Sequence, residues 1–203
     1  MALRDYTKRL FANTLAEMMR TTPLEKVRVK TLCARCGAER QSFYYHFRDK
    51  YDLVAWIFMQ DYFAALEGTG GKYIEEHAVA ALREIEKKQA FYKNAFSDNS
   101  QNAIQQYLFD YFVTLGTDVV KQHYALETLD METVYAIKSH SFACVGHTKE
   151  WLEGKSGYTP EQFAHLQYKF MPEVLKLAYG IRTSKIEGGA SAHVKNPGSK
   201  YFF

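Results

Sequence analysis

The feature that most constrains this chain is the spacing of its apolar residues, which recur every three to four positions in nearly every segment. In residues 5–20, for example, Phe11, Leu15 and Met18 fall at i, i+4 and i+7 and so share one helix face. No segment shows the two-residue alternation of a half-buried strand, and no Asn-Gly or Asp-Gly pair marks a hairpin. The spacing predicts an all-α chain, and 203 residues that are 47% hydrophobic are enough to bury a core.

Local signals for helix ends divide the chain into helical stretches. Gly37 is placed to end one helix and Asp49 to cap the next, while Thr159 and Pro160 are a typical N-cap and first helical residue. Pro172 must kink or restart the last helix. The predicted helical stretches are residues 5–20, 29–36, 40–47, 49–66, 72–96, 101–124, 130–153 and 159–179.

Charge is distributed unevenly along the chain. Residues 1–51 hold 11 Lys and Arg against 5 Asp and Glu, whereas residues 52–203 hold 15 against 18. A basic N-terminal segment on a mildly acidic remainder is compatible with a polyanion-binding head on a body with another task, or with chance clustering on a solvated face. The positions of the basic residues distinguish between these two interpretations.

The third helical stretch is divided sharply by face. Two short helices around Gly37, preceded by a longer helix, have the outline of a helix-turn-helix. In the second of the short helices, Phe43 and Phe47 point inward. The side chains left for the outer face are Arg40, Gln41, Tyr44, Tyr45 and His46. So many exposed aromatic and hydrogen-bonding groups suit a helix that lies in a major groove.

Residues 27–53 resemble the N-terminal domain of TetR-family transcriptional regulators. The stretch SFYYHFRDK at residues 42–50 is similar to the family signature TFYYHFKDK, and residues 53–182 are distantly similar to regulators of dihydroxyacetone kinase operons. The resemblance implies a helix-turn-helix DNA-binding domain at 1–52 and a helical effector-binding and dimerisation domain at 53–182. Residues 183–203, with three glycines, are predicted to form an irregular tail.

The resemblance also implies which side chains meet double-stranded operator DNA. Arg40 and Gln41 would face bases, whereas Arg28 and Lys30 would hold the backbone at the start of the second helix. The complete predicted set is Arg28, Lys30, Arg40, Gln41, Ser42, Tyr44, Tyr45, His46 and Lys50.

The body offers weaker signals. His140, Cys144 and His147 fall at i, i+4 and i+7, a spacing that could ligate a metal, but no carboxylate completes the cluster, and histidines that line a pocket or lie in the core are commoner. No metal or cofactor is predicted, and Cys33 and Cys36 are interpreted as small core residues. The residues predicted to line an effector pocket combine aromatic and polar side chains, and they are Phe109, Tyr111, Phe112, His140, Phe142, Cys144, His147 and Trp151.

The sequence therefore predicts a homodimeric DNA-binding regulator, a repressor that an unknown small molecule releases from its operator. The alternatives are a coactivator of the same fold that binds another regulator, and a small helical ligand-binding protein or enzyme. No catalytic motif supports an enzyme. No window approaches the roughly 18 apolar residues of a membrane span, and the N-terminus has no secretory signal, so a reducing, cytoplasmic setting is expected.

Overall fold

The computed structural model describes residues 3–67, 75–97 and 104–180, and within these ranges the chain is helical and contains no strand. The all-α prediction is therefore confirmed, while the predicted tail at 183–203 lies outside the described residues. None of the described helices is both long and apolar enough to cross a membrane. The helices are α1 (Leu3–Met19), α2 (Val29–Cys36), α3 (Arg40–His46), α4 (Lys50–Glu67), α5 (Glu75–Lys87), α6 (Gln89–Phe96), α7 (Ile104–Tyr124), α8 (Met131–Leu152), α9 (Pro160–Lys169) and α10 (Glu173–Ala178).

The first three helices form a head around fully buried side chains of each helix. Phe11 of α1 meets Phe43 of α3 edge to face, with ring centroids 5.3 Å apart, and Leu32 of α2 has no exposed surface. Gly37 ends α2 with φ of 62°, a left-handed conformation that favours glycine, and Ala38 N–H donates to the carbonyl of Cys33 at 3.0 Å. This tight turn sets α3 against α2.

Helix α4 carries the apolar core from the head into the body. Phe47, which follows α3, packs on Trp56 of α4 with centroids 6.0 Å apart, and Phe58 of α4 packs on Tyr92 of α6 at 5.5 Å. Residues 53–59 are buried without interruption. The boundary between the two domains, expected at residues 52 and 53, falls within the first turn of α4 and stays a prediction.

The helix caps follow the sequence closely. Asp49 Oδ1 accepts from the backbone N–H of Tyr51 at 2.8 Å and of Asp52 at 2.9 Å, so it caps α4. Thr159 forms a capping box with Gln162 at the start of α9. Pro160 is the first residue of α9, and Pro172 separates α9 from α10. These local predictions are confirmed.

The prediction of one helix over residues 72–96 is wrong, because the described part of that stretch breaks at Lys88 into α5 and α6. Lys88 has φ of −107° and ψ of 21°, and its ammonium donates to Asp61 of α4 at 2.6 Å. The hydroxyl of the buried Tyr92 also donates to Asp61. Because of this turn, α6 buries Tyr92 and Phe96 against Phe58 of α4. A helix that continued straight from α5 would not place these two side chains against α4.

The body packs α7 against α8 and α10. Gly116 of α7 allows this close approach, since an added Cβ would lie 3.0 Å from Ile137 of α8 and 3.4 Å from Leu175 of α10. Helix α5 packs on both α4 and α9. In the head, Cys33 is buried, Cys36 is half-buried against the same core, and both are free thiols.

Candidate nucleic-acid interface and effector cavity

Helix α3 separates its packing side chains from its exposed ones. Phe43 has no exposed surface, whereas Tyr44 is 48% exposed and Tyr45 is 68% exposed. The Arg40 guanidinium donates to the Tyr44 hydroxyl at 3.4 Å and lies 5.6 Å from that ring. A guanidinium has five N–H groups, so one long hydrogen bond leaves donors for a nucleobase.

The predicted DNA-contacting residues lie at the start of α2, along α3 and at the start of α4. Arg28, Lys30 and Gln41 are exposed, as are Arg40, Tyr44 and Tyr45. Ser42, His46 and Lys50 are half-buried. The structure therefore presents a mostly exposed, basic and aromatic surface along these elements.

Lys50 has a structural contact that the sequence did not indicate. Its ammonium donates to the carbonyl of Glu25 at 2.7 Å and to that of Val27 at 3.1 Å. The side chain thus joins the first residue of α4 to the segment before α2. The contact of Lys50 with a phosphate stays a prediction. A phosphate would share the Lys50 ammonium with these two carbonyls.

A cluster of four side chains joins the head to α7, and we call it the Tyr107 junction: Arg48, Asp49, Asp52 and Tyr107. The Tyr107 hydroxyl donates to Asp49 Oδ2 at 2.6 Å, and the Arg48 guanidinium lies 4.5 Å from the Tyr107 ring. Arg48 Nε also pairs with Asp52 at 3.3 Å. Burial and the neighbouring Asp49 raise the pKa of Tyr107, so its hydroxyl remains a donor.

Sequence reasoning missed this junction because Tyr107 is far from Asp49 along the chain. The one sequence feature that pointed to it was Asp49, because an aspartate that caps a helix with one carboxylate oxygen can accept a second hydrogen bond with the other. Beside the junction lies a cleft of about 340 Å³ between the head and α7. Its lining residues are Tyr44, Tyr45, His46, Phe47, Arg48, Asp52, Ala55, Met59, Tyr107, Asp110, Tyr111, Thr114 and Leu115.

The structure does not bring the predicted effector residues into one pocket. Tyr111 lines the cleft beside the Tyr107 junction, and Phe112 packs on Tyr62 with centroids 6.4 Å apart. Phe109 stacks on Phe142 at 4.0 Å, and Phe142 is 63% exposed.

Trp151 belongs to the core of the body. It is buried against Phe163, with ring centroids 5.6 Å apart, and its indole N–H donates to the carbonyl of Tyr158 at 3.0 Å. The aromatic part of the predicted set is therefore mainly involved in packing.

The three residues predicted from their i, i+4, i+7 spacing do line a common space, which we call the body cavity. It has a volume of about 380 Å³ and lies between α8 and the α9–α10 segment. Its lining residues are Ser139, His140, Ala143, Cys144, His147, Tyr158, Phe163, Leu166, Gln167, Phe170 and Pro172.

Two titratable groups in the body cavity contact each other. Cys144 Sγ and His140 Nε2 are 3.4 Å apart. Burial raises the pKa of the Cys144 thiol to about 12, and burial together with Lys176 lowers the pKa of the His140 imidazole to about 4. Both groups are therefore neutral at physiological pH. Within residues 3–67, 75–97 and 104–180, no three His, Cys, Asp or Glu side chains are grouped to hold a metal ion.

Comparisons with known proteins cover both parts of the chain. Residues 13–57 match the model of bacterial regulatory proteins of the tetR family, and residues 72–173 match the model of a transcriptional regulator C-terminal region. The chain is 26% identical to the HTH-type dhaKLM operon transcriptional activator DhaS of Lactococcus lactis over 92 aligned residues. These residues are 44% of this chain and 49% of that protein. The chain thus spans about half the length of this curated relative.

A solved structure has a similar fold. The dihydroxyacetone kinase operon activator DhaS superposes with a TM-score of 0.52 at 18% identity, covering 84% of this chain and 97% of that one. The matches over 13–57 and 72–173 show that the chain belongs to the TetR family of transcriptional regulators.

Proposed function

We propose that this regulator is a homodimeric repressor that binds operator DNA and is released from it by a small-molecule effector. The observation that carries the proposal is the outer face of α3, where Arg40, Tyr44 and Tyr45 are exposed although the helix is anchored by the buried Phe43. Large aromatic side chains exposed beside a guanidinium are costly on a surface without a partner and typical of one that meets nucleic acid. Because its ligand is DNA, we place the protein in the cytoplasm.

The exposed groups divide into those that can read bases and those that position the helix. Arg40 has the fork to bond guanine at two acceptors, and Gln41 can bond adenine in the same way. Tyr44 and Tyr45 offer hydroxyls to phosphates, and Lys30 offers a charge. Affinity would come mainly from phosphate contacts, and sequence preference from Arg40 and Gln41.

A second copy of the chain accounts for the exposed face of α8. Met131, Tyr135 and Phe142 are 84%, 74% and 63% exposed and follow one another at i, i+4 and i+11. Gly146 continues the same face at i+15, and an added Cβ there would meet nothing within 4 Å. A mid-helix glycine costs about 0.5–1 kcal/mol, a cost that close approach of a partner helix would offset. Phe170, 72% exposed after α9, extends the surface toward the C-terminal segment.

Dimerisation is tested by sedimentation at micromolar concentration. Gly146→Leu should shift the protein toward the monomer, because the added side chain fills the space left for the partner helix. Gln122→Leu, which introduces the same side chain at an exposed position of α7 away from this face, serves as the control. If wild type is a monomer with and without DNA, the dimer proposal is wrong.

The Tyr107 junction gives the body a physical connection to the head. The body cavity is lined by α8 and by residues up to Pro172, α10 packs on α7, and α7 carries Tyr107. A ligand that favours one arrangement of α8 and α10 would thereby bias the position of Asp49 and the start of α4. This would change how well two heads fit successive major grooves.

The direction of regulation is tested in cells. The relative DhaS is described as an activator, so activation is the second candidate. A reporter driven by the operator should rise when the gene is deleted if the protein is a repressor, and fall if it is an activator. The operator itself is identified by sequencing DNA selected by the purified protein from a random pool.

The coactivator alternative is tested by the same purified protein. If it selects no DNA sequence, and if Arg40→Ala and the control Arg20→Ala bind random DNA equally, the coactivator alternative is favoured over the DNA-binding proposal. Arg20 is a suitable control because its exposed guanidinium lies at the end of α1 and pairs only with the exposed Glu17 among the contacts described for it.

A further inference from the structure

The body cavity is lined without the strongly charged side chains. Among the residues that line it, all within the described ranges, there is no Asp, Glu, Lys or Arg. The apolar part of the lining consists of the rings of Phe163, Phe170 and Tyr158 with Leu166, and the polar part consists of hydroxyl, imidazole, thiol and amide groups. The volume of about 380 Å³ is in the range of small-molecule sites.

Charged side chains lie near the cavity without lining it: Lys169 Nζ is 5.7 Å from the Phe170 ring, and Lys176 is close enough to lower the pKa of His140. The Lys176 ammonium donates to the carbonyl of Lys169 at 3.1 Å and lies 5.8 Å from the Tyr168 ring. Glu150 lies against His147, with 3.4 Å between Oε2 and Nδ1, on the exposed side of α8. Neither Lys176 nor Glu150 lines the body cavity.

Two of the titratable lining groups carry no charge either, whereas a third, His147, is exposed and lies against Glu150. The Cys144 thiol and the His140 imidazole stay neutral at physiological pH, because desolvation raises the pKa of the thiol and desolvation together with Lys176 lowers the pKa of the imidazole. An ion placed between His140 and Cys144 would lose hydration without a lining Asp, Glu, Lys or Arg to pair with, which is unfavourable. A neutral molecule pays no such penalty, and its hydrogen-bonding groups can meet His140 and Gln167.

We infer that the body cavity takes an uncharged small molecule, with an apolar ring or chain against Phe163 and Phe170 and one or two hydrogen-bonding groups toward His140 and Gln167. The inference rests on the proposed function, since it names the chemical class of the effector for the same site. It adds that an uncharged effector is favoured over carboxylates, phosphates and amines of similar size.

Three probes of similar size test the inference: benzyl alcohol, benzylammonium and benzoate. Binding to the full-length protein is followed by the NMR signals of the His140 ring and of the Gln167 side-chain amide. Benzyl alcohol should bind at least about tenfold more tightly than either ion, which corresponds to about 1.4 kcal/mol. Equal or tighter binding of either ion, or no response of these signals to any probe, would overturn the inference.

Charge insertion provides a sharper version of the test. Gln167→Glu should reverse the preference toward benzylammonium, and Gln167→Lys should reverse it toward benzoate. Gln122→Glu, on the exposed surface of α7, is the matched control and should leave the preference for benzyl alcohol unchanged. If the Gln167 variants do not fold, Ser139→Asp and Ser139→Lys at the opposite wall of the cavity make the same comparison. Unchanged preferences in folded variants would contradict the inference.

Failure here is distinguishable from failure of the proposed function. Operator selection and Arg40→Ala measurements are made without any ligand, so they do not depend on the body cavity. A protein that selects an operator but binds benzoate as well as benzyl alcohol retains the proposed function and loses the inference about its effector.

Discussion

The head and the body of this regulator use their conspicuous side chains in opposite ways. In the head, Arg40, Tyr44 and Tyr45 project outward, and the fold depends on Phe11 and Phe43 beneath them. In the body, residues that looked like pocket lining, such as Trp151, are part of the core. Substitutions should therefore separate function from stability in the head, but not in the body.

The largest effect is expected for Trp151→Ala. The change removes a buried indole that packs on Phe163 and leaves the Tyr158 carbonyl without its donor, so the free energy of unfolding should fall by about 3–5 kcal/mol. Urea denaturation followed by circular dichroism measures it. A loss below about 1 kcal/mol would show that the body tolerates truncation of Trp151 as the head is expected to tolerate truncation of Arg40. The contrast between head and body would then be wrong.

Arg40→Ala should have the next largest effect, on DNA binding rather than on folding. Loss of a two-point contact with guanine should weaken the preferred operator relative to random DNA by about 1–3 kcal/mol, roughly 5- to 150-fold. The urea midpoint should match that of wild type, because Arg40 is exposed. Fluorescence anisotropy with both DNAs gives the ratio, and equal weakening of both would mean that Arg40 contacts only phosphate.

The pH dependence of stability probes the neutral lining of the body cavity. The unfolded chain protonates His140 near pH 6.5, whereas the folded protein keeps it neutral down to about pH 4. Stability contributed by this residue should be present above pH 6.5 and fall as the pH drops toward 4, by up to about 1.4 kcal/mol per unit. Denaturation of wild type and His140→Gln across this range gives the difference. Parallel curves would show that burial does not hold the ring neutral.

The smallest effect is expected at the Tyr107 junction, where head and body meet. Tyr107→Phe removes one hydrogen bond and should lower the free energy of unfolding by about 0.5–1.5 kcal/mol. Asp49→Asn keeps an oxygen for the cap and changes the group that faces Tyr107, so the double variant should cost less than the sum of the two. Additive effects would mean that the two side chains do not interact. Tyr6→Phe, at an exposed tyrosine of α1, is the control and should have no effect.

Sequence reasoning succeeded where the cause of a structure lies within a few residues. Gly37, Asp49, Thr159 and Pro172 act on their own turns, and each ends or begins a helix as predicted. The break at Lys88 was missed because its cause lies in another helix, namely the contacts of α6 with α4.

The candidate site shows the same limit. The spacing of His140, Cys144 and His147 correctly placed them on one face of α8, since periodicity determines faces. It does not determine which helix lies opposite, so Phe163 and Gln167 were not identified as lining. Phe142, by contrast, looked like pocket lining and lies on the exposed surface.

The two oxygens of Asp49 have a consequence for exchanging domains between regulators. Oδ1 serves the head by capping α4, and Oδ2 serves the body by accepting from Tyr107. Serine, threonine and asparagine would each cap a solitary helix well, yet each has only one side-chain oxygen and so cannot also accept from Tyr107 through a second one. A chimera that joins this head to a foreign body would keep its fold but leave Oδ2 without its phenol. On the function proposed above, such a hybrid would bind the same operator without responding to its new body, unless a tyrosine were grafted at the position of Tyr107.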